Sequence, residues 1–156
     1  VMVKNTAGIA ISTTAALAFP KNFVEWATAH GVGGGQFSDD SNGDGISDGQ
    51  AYFHNLDPNS QPVGAERASA LPGFSLEPAT GQPAFMVLTY RRSARATGVD
   101  VHYQAANALG GNWGGVVPDV TEEIGTDSIT GDPIIRVKFA LEPGSTEGFL
   151  RLQFSE

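Results

Sequence analysis

Residues Asp39–Phe53 read DDSNGDGISDGQAYF, and the organisation of the chain turns on this stretch. Counted from Asp40, oxygen-bearing side chains fall at positions one, three, five and nine: Asp40, Asn42, Asp44 and Asp48. Gly45 at position six permits a sharp turn that a Cβ hinders, and apolar Ile46 follows it. A hard cation such as Ca2+ takes roughly six to eight oxygens, and a loop of about twelve residues can supply them from side chains and one backbone carbonyl. The spacing points to Ca2+ held by Asp40, Asn42, Asp44, the carbonyl of Ile46, and Asp48. Position twelve departs from the pattern, because Ala51 stands where a Glu closes the cage. Asp57, one helical turn further on, is the expected replacement, with Asp39 and water as other oxygen sources. A lone loop of this kind suits a structural brace. A sensor pairs two loops and opens a Met-rich groove, and this chain has only two Met.

Outward from the loop, PKNFVEWATAHG (Pro20–Gly31) reads as a short helix with Phe23, Trp26 and Ala27 on one face and Gly31 as its stop. A second short helix begins near Ser47, carries Tyr52, Phe53 and Leu56, and ends before Pro58 and Pro62. Residues 20–62 are thus expected to form helix, acidic loop, helix.

From residue 63 the texture changes. GFSLEP, AFMVLTYRRS, VDVHYQAA, WGGVVPDVTEEI, IIRVKFALEP and GFLRLQFSE are short β-type runs separated by Gly, Pro, Asn and Asp. Val99, Val101 and Tyr103 alternate with Asp100 and His102. Ile135, Val137 and Phe139 alternate with Arg136 and Lys138, and Leu150, Leu152 and Phe154 oppose Phe149, Arg151 and Gln153. Six or seven strands at this spacing predict an antiparallel β-sandwich over 63–156. Residues 1–19 read as an extended strand, with Val1, Val3, Ile9 and Ile11 at odd positions. Such a strand is suited to lie along the edge of a neighbour's sheet. The run Ala7–Phe19 is too polar for the apolar core of a leader and too short to span a membrane.

Composition narrows the function. In 156 residues, 9 basic against 17 acidic side chains give a net charge of −8, which argues against nucleic-acid and anionic-membrane partners. The absence of cysteine removes disulfides and thiolate chemistry. The three histidines are dispersed and make no zinc pattern. The Gly-rich GVGGGQ follows a helix and precedes acids, so it would repel phosphate. Glu122, Glu123 and Asp127 read as solvated carboxylates rather than a catalytic pair, and no enzymatic activity is expected. Trp113, Tyr103 and Tyr90 are the candidates for a sugar-stacking platform, against the plainer reading that they pack the core.

FVEWATAHGV, the loop, the following LDPNS and a β-rich tail ending GFLRLQF together resemble C-terminal regions of large secreted and cell-surface proteins of Verrucomicrobia and related bacteria. The loop alone resembles thrombospondin type 3 and dockerin-type calcium repeats. The resemblance covers about residues 22–156 and implies an Ig-like sandwich in an exported, non-catalytic module, with Asp40, Asn42, Asp44 and Asp48 as calcium ligands. Where that pattern carries Asn and then Glu, this chain has Asp48 and Ala51. Two functional expectations follow. The first is an extracellular, calcium-stabilised subunit that binds copies of itself head to tail, joined by donation of residues 1–13. The second is a carbohydrate-binding or surface-anchoring module of a larger secreted enzyme, with polysaccharide as its partner.

Overall fold

The computed structural model describes residues 2–5, 8–11, 22–78, 84–141 and 148–156. Among these described residues three short helices precede a mainly β body: α1 (Phe23–Ala29), α2 (Asp48–His54) and α3 (Gly64–Ala70). Seven strands follow: β3 (Gly73–Glu77), β4 (Phe85–Arg91), β5 (Asp100–Ala106), β6 (Gly114–Val116), β7 (Val120–Thr126), β8 (Pro133–Ala140) and β9 (Phe149–Ser155). They form a four-stranded sheet, β3-β4-β8-β7, and a three-stranded sheet, β6-β5-β9, with every pairing antiparallel.

The alternation seen in the sequence decides which faces meet. Leu88, Tyr90, Val137 and Phe139 from the larger sheet share one cluster with Val101, Tyr103, Leu150, Leu152 and Phe154 from the smaller. Gly148, just before β9, sits beside the Met86 thioether. At the other end of β9, the Phe53 ring lies between Phe154, 4.7 Å away, and Tyr90, 6.0 Å away. β9 therefore runs above β4. The 5.3 Å contact of Tyr103 with Phe139 places β5 above β8. The expected run WGGVVPDVTEEI is two strands, because Pro118 cannot donate to a ladder and parts β6 from β7.

The helices follow local chemistry. The Asn22 side chain caps α1 by accepting from the Glu25 N–H at 2.9 Å. The expected first-turn residue, Pro20, lies outside the described residues. Gly31 (φ +77°) ends α1, with Gly31 N–H on Thr28 and Val32 N–H on Ala27, as in a Schellman turn. Ser47 and Gln50 cap α2 reciprocally, and left-handed Asn55 ends it in the same way.

Three boundaries differ from expectation. α3 falls at the start of the stretch expected to be only β. Its sequence GAERASA has no apolar stripe, and only Ala70 is buried, so periodicity does not show it. The division at residues 62 and 63 also does not separate the cores. Tyr52 packs with Phe23, Trp26 and Ile46, whereas its neighbour Phe53 packs inside the sandwich. α2 is thus shared by both cores. At the N-terminus, β1 (Met2–Asn5) and β2 (Gly8–Ile11) pair antiparallel in a sheet of their own, rather than forming one extended strand. Residues 1, 6, 7 and 12–19 of that expectation lie outside the described residues.

Candidate functional site

The acidic loop joins α1 to α2 and is built on its own carboxylates. Asp40 accepts three backbone N–H groups, from Gly43 (2.9 Å) and Asp44 (3.1 Å) on Oδ1 and from Gly45 (2.8 Å) on Oδ2. The Asn42 side-chain Oδ1 accepts from Asp44 N–H at 3.0 Å, and Asp44 Oδ1 accepts from Ile46 N–H at 2.8 Å. Gly43 and Gly45 hold positive φ (+73° and +84°), which a side chain would resist. Ile46 then drops into the core beside Phe23, Trp26 and Tyr52. The loop's path is therefore fixed at both ends of its sharp turn.

The expected ligands differ in their contacts. Asp40, Asn42 and Asp44 share the turn, with the Asn42 amide donating to Asp44 Oδ2 at 3.2 Å. Asp48 is the first residue of α2 and is almost fully buried. Its carboxylate accepts from the Ser41 hydroxyl (2.6 Å) and the Ser41 N–H (3.3 Å). Asp57 is exposed and turned onto Asn59 N–H at 3.0 Å. Asp39 accepts from Gln36 N–H at 2.8 Å. Among the described residues no three Asp, Glu or His side chains gather as a metal-holding group. The oxygens of Asp40, Asn42 and Asp44 fit a hard cation in kind. Asp48 accepts from Ser41, which stands between Asp40 and Asn42 in the loop, and Asp57 accepts from Asn59.

A shallow groove of about 370 Å³ separates this loop from the last strand, lined by Phe37, Asp40, Gly45, Gln50, Leu152 and Phe154. Gly49 makes the close approach possible at the loop's back, since a Cβ there would collide with the Phe37 ring.

A second polar cluster, which sequence reading missed, ties α2 to the sandwich. Arg91 at the end of β4 is buried and donates to the carbonyls of His54 (2.8 Å) and Asn55 (3.0 Å). It also lies 3.5 Å from an Asp127 carboxylate oxygen. His54 Nδ1 donates to the Arg91 carbonyl at 2.7 Å. Burial, reinforced by the Arg91 charge, pulls the His54 pKa down to about 4, although the hydrogen bond to the Arg91 carbonyl opposes this. Asn55 donates to Asp132 at 2.6 Å, and Ser93 N–H donates to the Phe53 carbonyl at 2.7 Å. N–H donation from Thr130 and Ile129, together with Arg91, holds the Asp127 carboxyl below its ordinary range. An Arg, a His and two Asp far apart in sequence carry no spacing signal, so only the fold brings them together.

The other singled-out residues also have partners. Glu122 pairs with Arg136 at 2.7 Å on the outer face of the larger sheet. Tyr90 is buried and its hydroxyl meets that of Tyr103 at 2.7 Å. Burial first, and then this bond, raise the Tyr90 pKa. The Arg151 guanidinium lies 4.3 Å over the Trp113 ring. The three aromatics thus do not form one open platform: Tyr90 is inside, and one face of Trp113 is covered.

Among the described residues no helix is long and apolar enough to cross a membrane. Comparison with protein-family models, with curated proteins and with solved structures returns no match.

Proposed function

We propose that this protein is a non-catalytic extracellular structural subunit, with an Ig-like sandwich braced by one Ca2+ at the 40–48 loop. Copies of it join head to tail through donation of the N-terminal strand. The observation that carries this reading is the loop itself. Two carboxylates and an amide oxygen are crowded on one sharp turn whose exit residue, Ile46, is a core residue. Bound Ca2+ would neutralise the mutual repulsion of Asp40 and Asp44 and stiffen the turn. Asp40, Asn42 and Asp44 would hold it, with the Ile46 carbonyl and water completing the shell. Asp48, hydrogen-bonded to Ser41 beside Asp40, and Asp57 are the further carboxylates that would complete the set.

The Ig-like assignment is supported by the four-on-three arrangement and by the strand order β3-β4-β8-β7 over β6-β5-β9. Self-association through strand addition is supported by the alternating apolar residues of the N-terminus and by the hairpin that β1 and β2 form apart from the main sheets. Repeated head to tail, such a contact grows a filament. The carbohydrate-module reading gains no comparable observation.

Negative-stain electron microscopy tests this directly. Filaments are expected in calcium, with shortening or loss after chelation. Deletion of residues 1–13 is expected to leave folded monomers. Dispersed wild-type particles in calcium, or filaments from the truncated chain, would overturn the reading.

A further inference from the structure

The two sheets are unequal, and the inequality falls at one place. β9 lies above β4, so the row beyond β9 lies above β3. Among the described residues no strand occupies that row, because β9 pairs only with β5. The floor beneath it is apolar. Phe74 and Leu76 of β3 stand directly opposite Leu88 and Met86 of β4, which are buried. Cross-strand partners share a face, so Phe74 and Leu76 point toward the core side of the sheet. They remain 56% and 60% exposed all the same. An inward-facing Phe and Leu left in water next to an open backbone edge describe a row that is one strand short.

The geometry points to a strand of a second copy of this chain, drawn from residues 2–11, pairing with the outer edge of β9 and covering Phe74 and Leu76. This inference rests on the subunit reading and names its acceptor. Three observations select the occupant. Val3, Ile9 and Ile11 recur at odd positions, which puts apolar residues on one face of an extended strand, as the floor requires. Among the described residues β1 and β2, of four residues each, pair with each other alone, an arrangement of marginal stability in water that exchanges readily for a place in a larger sheet. Charge also agrees. The sole charged residue in 1–19 is Lys4. The remaining chain, with 8 basic and 17 acidic residues, carries −9. The C-terminal half of β9 borders the groove beneath the acidic loop, where Leu152 and Phe154 face Asp40 and Gly45.

Disulfide trapping in the full chain tests the acceptor, since the protein has no cysteine of its own. Gln153→Cys on β9 is combined with a single cysteine scanned through residues 3–11, and the filaments are oxidised. At one or two alternate positions a ladder of covalent multimers is expected, and Thr121→Cys on the β7 edge is expected to yield none. In parallel, Phe74→Lys with Leu76→Glu, at sites already more than half exposed, is expected to raise the protein concentration needed for filaments at least tenfold while the circular dichroism stays unchanged. Filaments without the β9 disulfide, or with the ladder at β7, would overturn the acceptor and leave the subunit reading intact. A disulfide closed within one copy would overturn the second copy as donor. Wild-type monomers in calcium would overturn the subunit reading and this inference with it.

Discussion

Two polar regions of this molecule are rich in acids and opposite in construction. The 40–48 loop is local. Its carboxylates bond to backbone N–H groups within a few residues, and most of it faces solvent. The cluster around Arg91 is long-range. It joins residues 36 to 77 positions apart and is buried, with Arg91 and His54 only 2% and 1% exposed. Hydrogen bonds within an exposed turn are exchanged against water and add little net stability. A buried charge without its partners costs several times more. The contrast teaches that the conspicuous acidic motif and the group that holds the helical part to the sandwich are different sets of residues.

Substitution of Arg91 should produce the largest effect. Arg91→Met keeps much of the side chain's volume but leaves the carbonyls of His54 and Asn55 and the Asp127 carboxylate without their donor. A loss of about 3–5 kcal/mol is expected, read from the urea midpoint. A loss under about 1 kcal/mol would erase the distinction between the two regions, because it would rank Arg91 with an ordinary surface residue.

Acid should act on the same cluster next. His54 binds a proton near pH 6.5 in the unfolded chain but only near pH 4 when folded. Between those values the unfolded state holds the extra proton, so stability falls as pH falls. The contribution is complete above pH 6.5 and is lost progressively toward pH 4, amounting to roughly 3 kcal/mol. Asp127, held below the ordinary carboxylate range, adds its own loss only at still lower pH. Thermal melts from pH 7 to 4 should therefore show a steady decline in Tm, and His54→Gln should flatten it in that window. An unchanged slope in the variant would place the acid sensitivity elsewhere.

How much of this was readable beforehand follows from the range of each interaction. β-Alternation is a property of neighbours, and it located β5, β8 and β9 with their inward sets, such as Val101–Tyr103 and Leu150–Phe154; the six β-type runs cover all seven strands, with β6 and β7 in one run. Caps are local too, and Ser47 with Gln50 marks the start of α2 where it was expected. α3 escaped because small residues leave no stripe, and its burial comes down to Ala70. The site divides along the same line. Asp40, Asn42 and Asp44 come together because i, i+2 and i+4 positions of one turn are adjacent. Asp48, the first residue of α2, also accepts from the Ser41 hydroxyl, a contact that the spacing does not show. Phe53, adjacent to Tyr52 yet committed to a different core, shows why a boundary drawn from texture at residue 62 missed the join.

The smallest expected effect belongs to the loop and sharpens the comparison most. In chelator, Asp44→Ala removes one acceptor from the Ile46 N–H in an exposed turn and relieves one acid–acid repulsion. These terms oppose each other, and stability should move by no more than about 0.5 kcal/mol. In calcium near 1 mM the wild-type chain should gain about 1 kcal/mol if the loop binds in the range of extracellular modules. The variant should gain almost none of it. The informative quantity is thus the difference between two melts of one protein, with and without chelator, rather than either Tm. If the variant keeps the full calcium shift, the ion sits elsewhere and the loop is a solvated turn. If both proteins lose that shift while Asp44→Ala still weakens the fold in chelator by more than 1 kcal/mol, the loop's hydrogen bonds, not an ion, anchor Ile46 in the core, and the contrast between the local and the long-range region collapses.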